Sequence, residues 1–156
     1  MDVVLHFMKN NISAIILLLF LYSQTTFSQE ETSFNEYIVE MYRGELKDPD
    51  FTSNPKAVKY KTVIINACSE GINFAGKYTL AVNGCGTACQ FGIVIDRATG
   101  IIYDGFTSEL GYRFQENSQL LIKNEDILNY SDEMQNSEIW KVKHLIWVGD
   151  QFVEIK

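Results

Sequence analysis

Two runs of alternating hydrophobicity flank a glycine-rich turn, and this pairing constrains the fold more than any other feature of the chain. In the first run Tyr78, Leu80 and Val82 alternate with Lys77, Thr79 and Ala81. In the second Phe91, Ile93 and Ile95 alternate with Gln90, Gly92 and Val94. A period of two is the mark of a strand. The segment Gly84-Cys85-Gly86-Thr87-Ala88-Cys89 between the runs predicts a β-hairpin.

Cys85 and Cys89 at that turn can bridge each other, bind a metal or do thiol chemistry, and the compartment decides among these. The apolar run Ile12–Tyr22 is preceded by Lys9 and followed by polar residues. It is shorter than the ~20 residues a membrane-spanning helix needs and reads as the core of a signal peptide. Met8-Lys9 makes a more conventional start than Met1-Asp2. Thr26 and Ser28 place the expected cut between Ser28 and Gln29, giving a leader over 1–28 and a single α+β domain over 29–156. The expected destination is the periplasm or the exterior, with no membrane attachment after cleavage. Under oxidising conditions neighbouring thiols pair, and glycine at 84 and 86 lets the chain fold back to disulfide distance. The predicted Cys85–Cys89 bridge either tidies a strained turn or stiffens a hairpin tip, Gly86, Thr87 and Ala88, for docking.

The charge of −7 has no compensating Lys/Arg cluster, which argues against nucleic acid and anionic membranes and allows a basic protein partner from the envelope or a host. With 46% hydrophobic residues and only two prolines, the chain is not of the disordered class.

Ser33-Phe34-Asn35-Glu36 has the pattern of a capping box. Phe34, Tyr37, Ile38, Met41 and Tyr42 follow at helical spacing, with Gly44 suited to the stop. Asn54-Pro55 opens a second predicted helix running to about Ser69, with Ala57, Tyr60, Ile64 and Ala67 on one face. Further strands are predicted at Ile101–Tyr103 after the turn Asp96–Gly100, at Gln119–Lys123, at Ile139–Val148 and at Phe152–Ile155. The polar segment Asn124–Ser137 reads as a surface loop. The expected architecture is two N-terminal helices packed on one antiparallel sheet of five or six strands.

Cys68 is left over. As a small apolar side chain it suits a core. As a nucleophile it would need His144, the only histidine outside the leader, within hydrogen-bond reach. A metal site from Cys68, Cys85, Cys89 and His144 has zinc-type ligands, but the spacing matches none of the usual patterns. Carboxylates around the hairpins, Asp96, Asp104, Glu109 and Glu116, leave a small hydrolase open. No Gly-x-Ser-x-Gly, phosphate-loop or His-Glu-x-x-His pattern is present, and no cofactor is implied.

Asn73-Phe74-Ala75-Gly76-Lys77-Tyr78, the Gly84–Cys89 turn, and Asp96 with Thr99-Gly100 together resemble a group of small exported bacterial proteins. Their shared pattern is Asn-Phe-Ala-Gly-His-Tyr, Gly-Cys-Gly-(Ser/Thr)-x-Cys and Asp-x-x-Thr-Gly. Ser118-Gln119-Leu120-Leu121 and the stretch Ile146–Phe152 resemble that group as well, so the likeness spans most of residues 29–156. It carries no assigned activity. Lys77 stands where histidine is frequent, which counts against a ring nitrogen at that site. With Tyr78 it joins Gly86, Thr87 and Ala88 as an expected contact residue. A second likeness is to periplasmic inhibitors of vertebrate-type lysozyme, which present a cysteine-bracketed loop whose histidine enters the enzyme's cleft. Here the loop holds no histidine and is one residue shorter, so the residue that carries that mechanism is missing. The reading favoured on the sequence is an exported, non-enzymatic binding or inhibitory module.

Overall fold

The structure, a computed structural model, describes residues 32–87 and 89–155. The expected leader and its cleavage point lie outside the described residues, as does Ala88.

The described chain is mostly sheet. After a single turn of 3-10 helix at Phe34–Tyr37 comes the one substantial helix, which starts as a 3-10 turn at Pro55–Tyr60 and continues as α1, Lys61–Ser69. Eight strands follow: β1 Tyr78–Gly86, β2 Cys89–Asp96, β3 Ile102–Tyr103, β4 Thr107–Ser108, β5 Tyr112–Phe114, β6 Leu120–Lys123, β7 Lys143–Trp147 and β8 Phe152–Ile155. A four-residue helix, α2 at Asp132–Gln135, lies between β6 and β7. The strands form two antiparallel sheets of four among the described residues. In the first, β1 pairs with one edge of β2, while β3 and β4 share the other edge. The second is a meander, β5-β6-β7-β8.

Two expectations about the architecture are therefore corrected. The single five- or six-stranded sheet is two sheets, and two N-terminal helices are not formed. The predicted first helix keeps its capping box, with Ser33 Oγ accepting from the Asn35 N–H and Glu36 reaching back to the Ser33 N–H at 3.0 Å. It then stops after four residues. From Ile38 the chain is extended and takes hydrogen bonds from elsewhere: Val39 N–H to Asn117 O at 2.9 Å and Tyr42 N–H to Gly76 O at 2.8 Å. A short isolated helix is marginal, so these tertiary bonds override the helical spacing. The turn itself packs along the second sheet, where Phe34 and Tyr37 join Leu120 and Ile122, while Ile38 is exposed.

Layering explains the strand burial. Ala81, Ile93 and Ile95 of the first sheet face the helix, packing with Ala57, Ile64 and Cys68. Tyr78, Leu80 and Val94 face the second sheet and meet Phe74, Leu121 and Trp147. Both faces of the first sheet are thus covered, and β2 is buried from Gly92 to Asp96. Each fully buried aliphatic side chain here contributes about 1.5–3 kcal/mol.

The outer edge of β1 is partly closed by a side chain. Asn73 accepts the Leu80 N–H at 2.7 Å and donates to the Leu80 carbonyl at 3.1 Å, as a neighbouring strand would. The predicted surface loop Asn124–Ser137 is also corrected at its start. Asn124 is fully buried in a left-handed conformation, with its side-chain oxygen accepting from Ser108 Oγ and from the amides of Glu109 and Leu110. Among the described residues no helix is long and apolar enough to cross a membrane.

Candidate functional site

The hairpin tip forms as its sequence requires. Cys85 and Cys89 are joined by a disulfide with their Cα atoms 5.1 Å apart. A register shift between Gly84 and Gly86 accommodates the turn, and Gly86 has φ +131°, a conformation open to glycine. Gly84, Cys85, Gly86 and Thr87 are exposed. A methyl group added at Gly84 or Gly86 would meet nothing within 4 Å, so no other part of the domain covers these two positions. Support begins one step further in. The Tyr60 and Phe91 rings lie 4.2 Å apart, and the Tyr112 hydroxyl is 2.9 Å from the carbonyls of both Gln90 and Phe106. Burial pushes the Tyr112 hydroxyl well above the ordinary tyrosine range, so it stays a donor to these carbonyls.

Lys77 and Tyr78, expected to share a surface with the tip, lie at the other end of β1. Nine residues of strand separate the two ends by about 26 Å at the usual rise per residue. One surface therefore becomes two. At this far end Lys77 Nζ donates to Asp96 Oδ2 at 2.7 Å, while Asp96 Oδ1 accepts the Ala98 N–H at 2.8 Å and shapes the turn. The hydrogen bond to Asp96 holds the Lys77 ammonium above the usual lysine range, with burial pulling the other way. Tyr78 is buried against Trp147, ring centroids 5.4 Å apart, and its hydroxyl donates to Gly149 O at 3.3 Å. Just before it, Ala75 and Gly76 have φ of +44° and +77°. Gly76 is required at that point, because a Cβ would fall 2.9 Å from Val39 Cγ2 and press on the Glu40 carbonyl. This tight turn puts the extended stretch 39–43 beside Lys77, and a cavity of about 530 Å³ lies between them.

Loss of the Lys77 ammonium leaves the buried Asp96 carboxylate without its cation. Lys77→Met should cost about 1–2 kcal/mol, less than a fully buried pair would because the lysine side chain is 41% exposed and water takes part of its place. A raised lysine value means the stabilisation is complete below the ordinary lysine value, about 10.4, and fades as pH rises through the higher folded one. Urea melts of both proteins should therefore differ by a constant amount from pH 7 to 10 and converge above that.

Cys68 and His144 are not brought together. Cys68 is unbonded, buried, and packed between α1 and the first sheet. His144 pairs with Ile122 and Ile155, on the face of the second sheet that points away from the first. Burial pushes the Cys68 thiol up, with the Arg97 charge opposing, which makes it a poor nucleophile. The mixed metal site loses two of its ligands to the disulfide. Beside Cys68 sits Arg97, only 4% exposed, whose guanidinium donates to Cys68 O at 2.6 Å, Thr79 Oγ1 at 3.3 Å and Lys47 O at 3.1 Å. It caps the end of α1 and ties three distant segments together. Nothing in the spacing around Arg97 announces that role, and the same holds for Arg43, which borders the cavity only because the predicted helix gives way to an irregular segment after Tyr37.

No protein-family model, no curated protein and no solved structure matches the chain.

Proposed function

We propose that the protein is an exported binding or inhibitory module that docks through the Cys85–Cys89 hairpin tip onto a basic protein of the envelope or a host. The observation that carries this reading is a stapled tip whose Gly84, Cys85, Gly86 and Thr87 are exposed. A bridge closing so short a loop is worth only about 2 kcal/mol by chain entropy, so its main physical effect is to remove freedom from the tip. Freedom removed in advance is not lost again on binding. The charge of −7 supports a basic partner by long-range attraction.

The test uses the oxidised domain immobilised against envelope extract and host secretions. A basic protein should be retained, and Thr87→Arg, which blocks close approach, should abolish retention with the melting temperature unchanged. Replacing Cys85 and Cys89 together by serine should lower stability by about 2 kcal/mol and weaken retention by a larger factor than that loss explains. Retention untouched by both changes, alongside the loss of stability, would make the bridge a structural staple only.

A further inference from the structure

A cavity of about 290 Å³ lies between the 3-10 turn Pro55–Tyr60 and the chain from Asp104 to Thr107, with Phe91 to Ile93 of β2 also lining it. Ala57 and Ile93 are buried, while Tyr60 and Phe91 are half-buried with their rings 4.2 Å apart. Half-buried apolar side chains around a cavity leave apolar surface in water, and a ligand that covers it gains from its removal.

The charge at this cavity is set by the geometry of the turn. Side chains at i and i+3 of a 3-10 helix eclipse. Ala57 and Tyr60 therefore share the face that packs on the first sheet, and Lys56 and Lys59 share the face beside it. Both lysines line the cavity and are exposed, and neither makes an ion pair among the described residues. The Lys59 ammonium sits 4.7 Å from the Tyr60 ring centroid, next to the aromatic pair. Asp104 is the one carboxylate of the lining, and its Oδ1 accepts from Asn54 Nδ2 at 2.8 Å. Two ammoniums against one carboxylate leave a positive charge in excess, in a chain whose net charge is −7.

From these features we infer that the cavity binds a small aliphatic monocarboxylate of about the size of octanoate. The tail covers Tyr60, Phe91 and Ile93, and the carboxylate lies at the mouth with Lys56 and Lys59. A volume of about 290 Å³ is at the small end of ligand pockets, which suits a short chain better than a long lipid tail. A neutral molecule with the same tail gives up the attraction of the lysines. A carboxylate without a tail gives up the apolar cover. The exposed tip, Gly84 to Thr87, is no part of the lining, so this inference and the docking reading stand or fall separately.

The experiment titrates octanoate into the disulfide-intact protein by calorimetry, with octanamide as the control for charge and acetate as the control for the tail. Octanoate should saturate, and both controls should bind at least about fivefold more weakly. Lys56→Gln together with Lys59→Gln should weaken octanoate at least about fivefold, with circular dichroism unchanged because both side chains are exposed and unpaired. A diazirine-bearing octanoate, activated by light and mapped by peptide mass, should label residues 56–60, 91–93 or 104–107. The inference is overturned if octanoate fails to saturate by about 10 mM, or if octanamide or acetate matches it. It is equally overturned if the double lysine variant binds as the wild type does, or if the label falls elsewhere on the chain.

Discussion

Alanine at position 105 is expected to keep the domain from folding stably. Gly105 lies in the short link between β3 and β4, both of which pair with the same edge of β2. The link is drawn onto β2 by the Gly92 N–H, which donates to Phe106 O at 2.9 Å. This puts the Gly105 Cα against the backbone of β2. A Cβ there would collide with the Gly92 carbonyl group and reach within 3.0 Å of Ile93 N. Every atom it meets is backbone, and β2 is held on its other edge by β1, so no side chain can swing aside. The loss should exceed about 4 kcal/mol, most of a stability of about 5–15 kcal/mol. Gly84→Ala is the matched control. The added methyl meets nothing within 4 Å, and the cost should stay within about 0.5 kcal/mol. Circular dichroism with urea titration separates the two outcomes. If Gly105→Ala melts with the wild type, the close approach of the link to β2 is wrong.

Trp147→Ala should cost about 3–5 kcal/mol. The indole is fully buried and is the hub of an aromatic cluster, with ring centroids 4.8 Å from Phe152, 5.4 Å from Tyr78, 5.5 Å from Tyr103 and 6.5 Å from Phe74. It joins the two sheets, so the cavity left by alanine opens between layers that are pinned on their outer sides and cannot collapse. Trp147→Phe should cost less than half as much. It keeps an aromatic ring in place and removes an N–H that has no partner, and deleting an unpaired buried donor offsets part of the lost packing. Equal losses for the two variants in urea titration would show that the indole nitrogen is satisfied in solution.

Where a pattern was local and repeated, the sequence was informative. The alternation through Tyr78–Val82 and Phe91–Ile95 foretold β1 and β2, and Asn54-Pro55 marked the start of the helix that ends at Ser69. The Cys85–Cys89 bridge is legible from spacing and glycine chemistry once the leader is read as an export signal. Position in space was not legible. Phe34 to Tyr42 have helical spacing, yet the decisive partners, Asn117 and Gly76, are distant in sequence. Strands β4 and β5, two and three residues long, are too short to show any period. The split into two sheets is a consequence of which edges pair, and alternation within a strand says nothing about that. Lys77 and Tyr78 are near the tip in sequence but lie at the opposite end of β1. An extended strand carries such neighbours apart, and this is why one expected surface became two.

The Asn73 side chain has a consequence for the molecule in company. An edge strand offers its free N–H and C=O groups to any passing chain, and β1 is such an edge. Its Leu80 groups are already taken by the Asn73 amide, and Tyr78 is paired with Phe74. A strand from a second molecule therefore finds the inner half of β1 occupied and cannot zip along it. The open part that remains is short and ends in the bulged, stapled tip, whose bend discourages continued pairing. Asn73 thus lets the domain project its exposed hairpin tip without inviting copies of itself to assemble edge to edge.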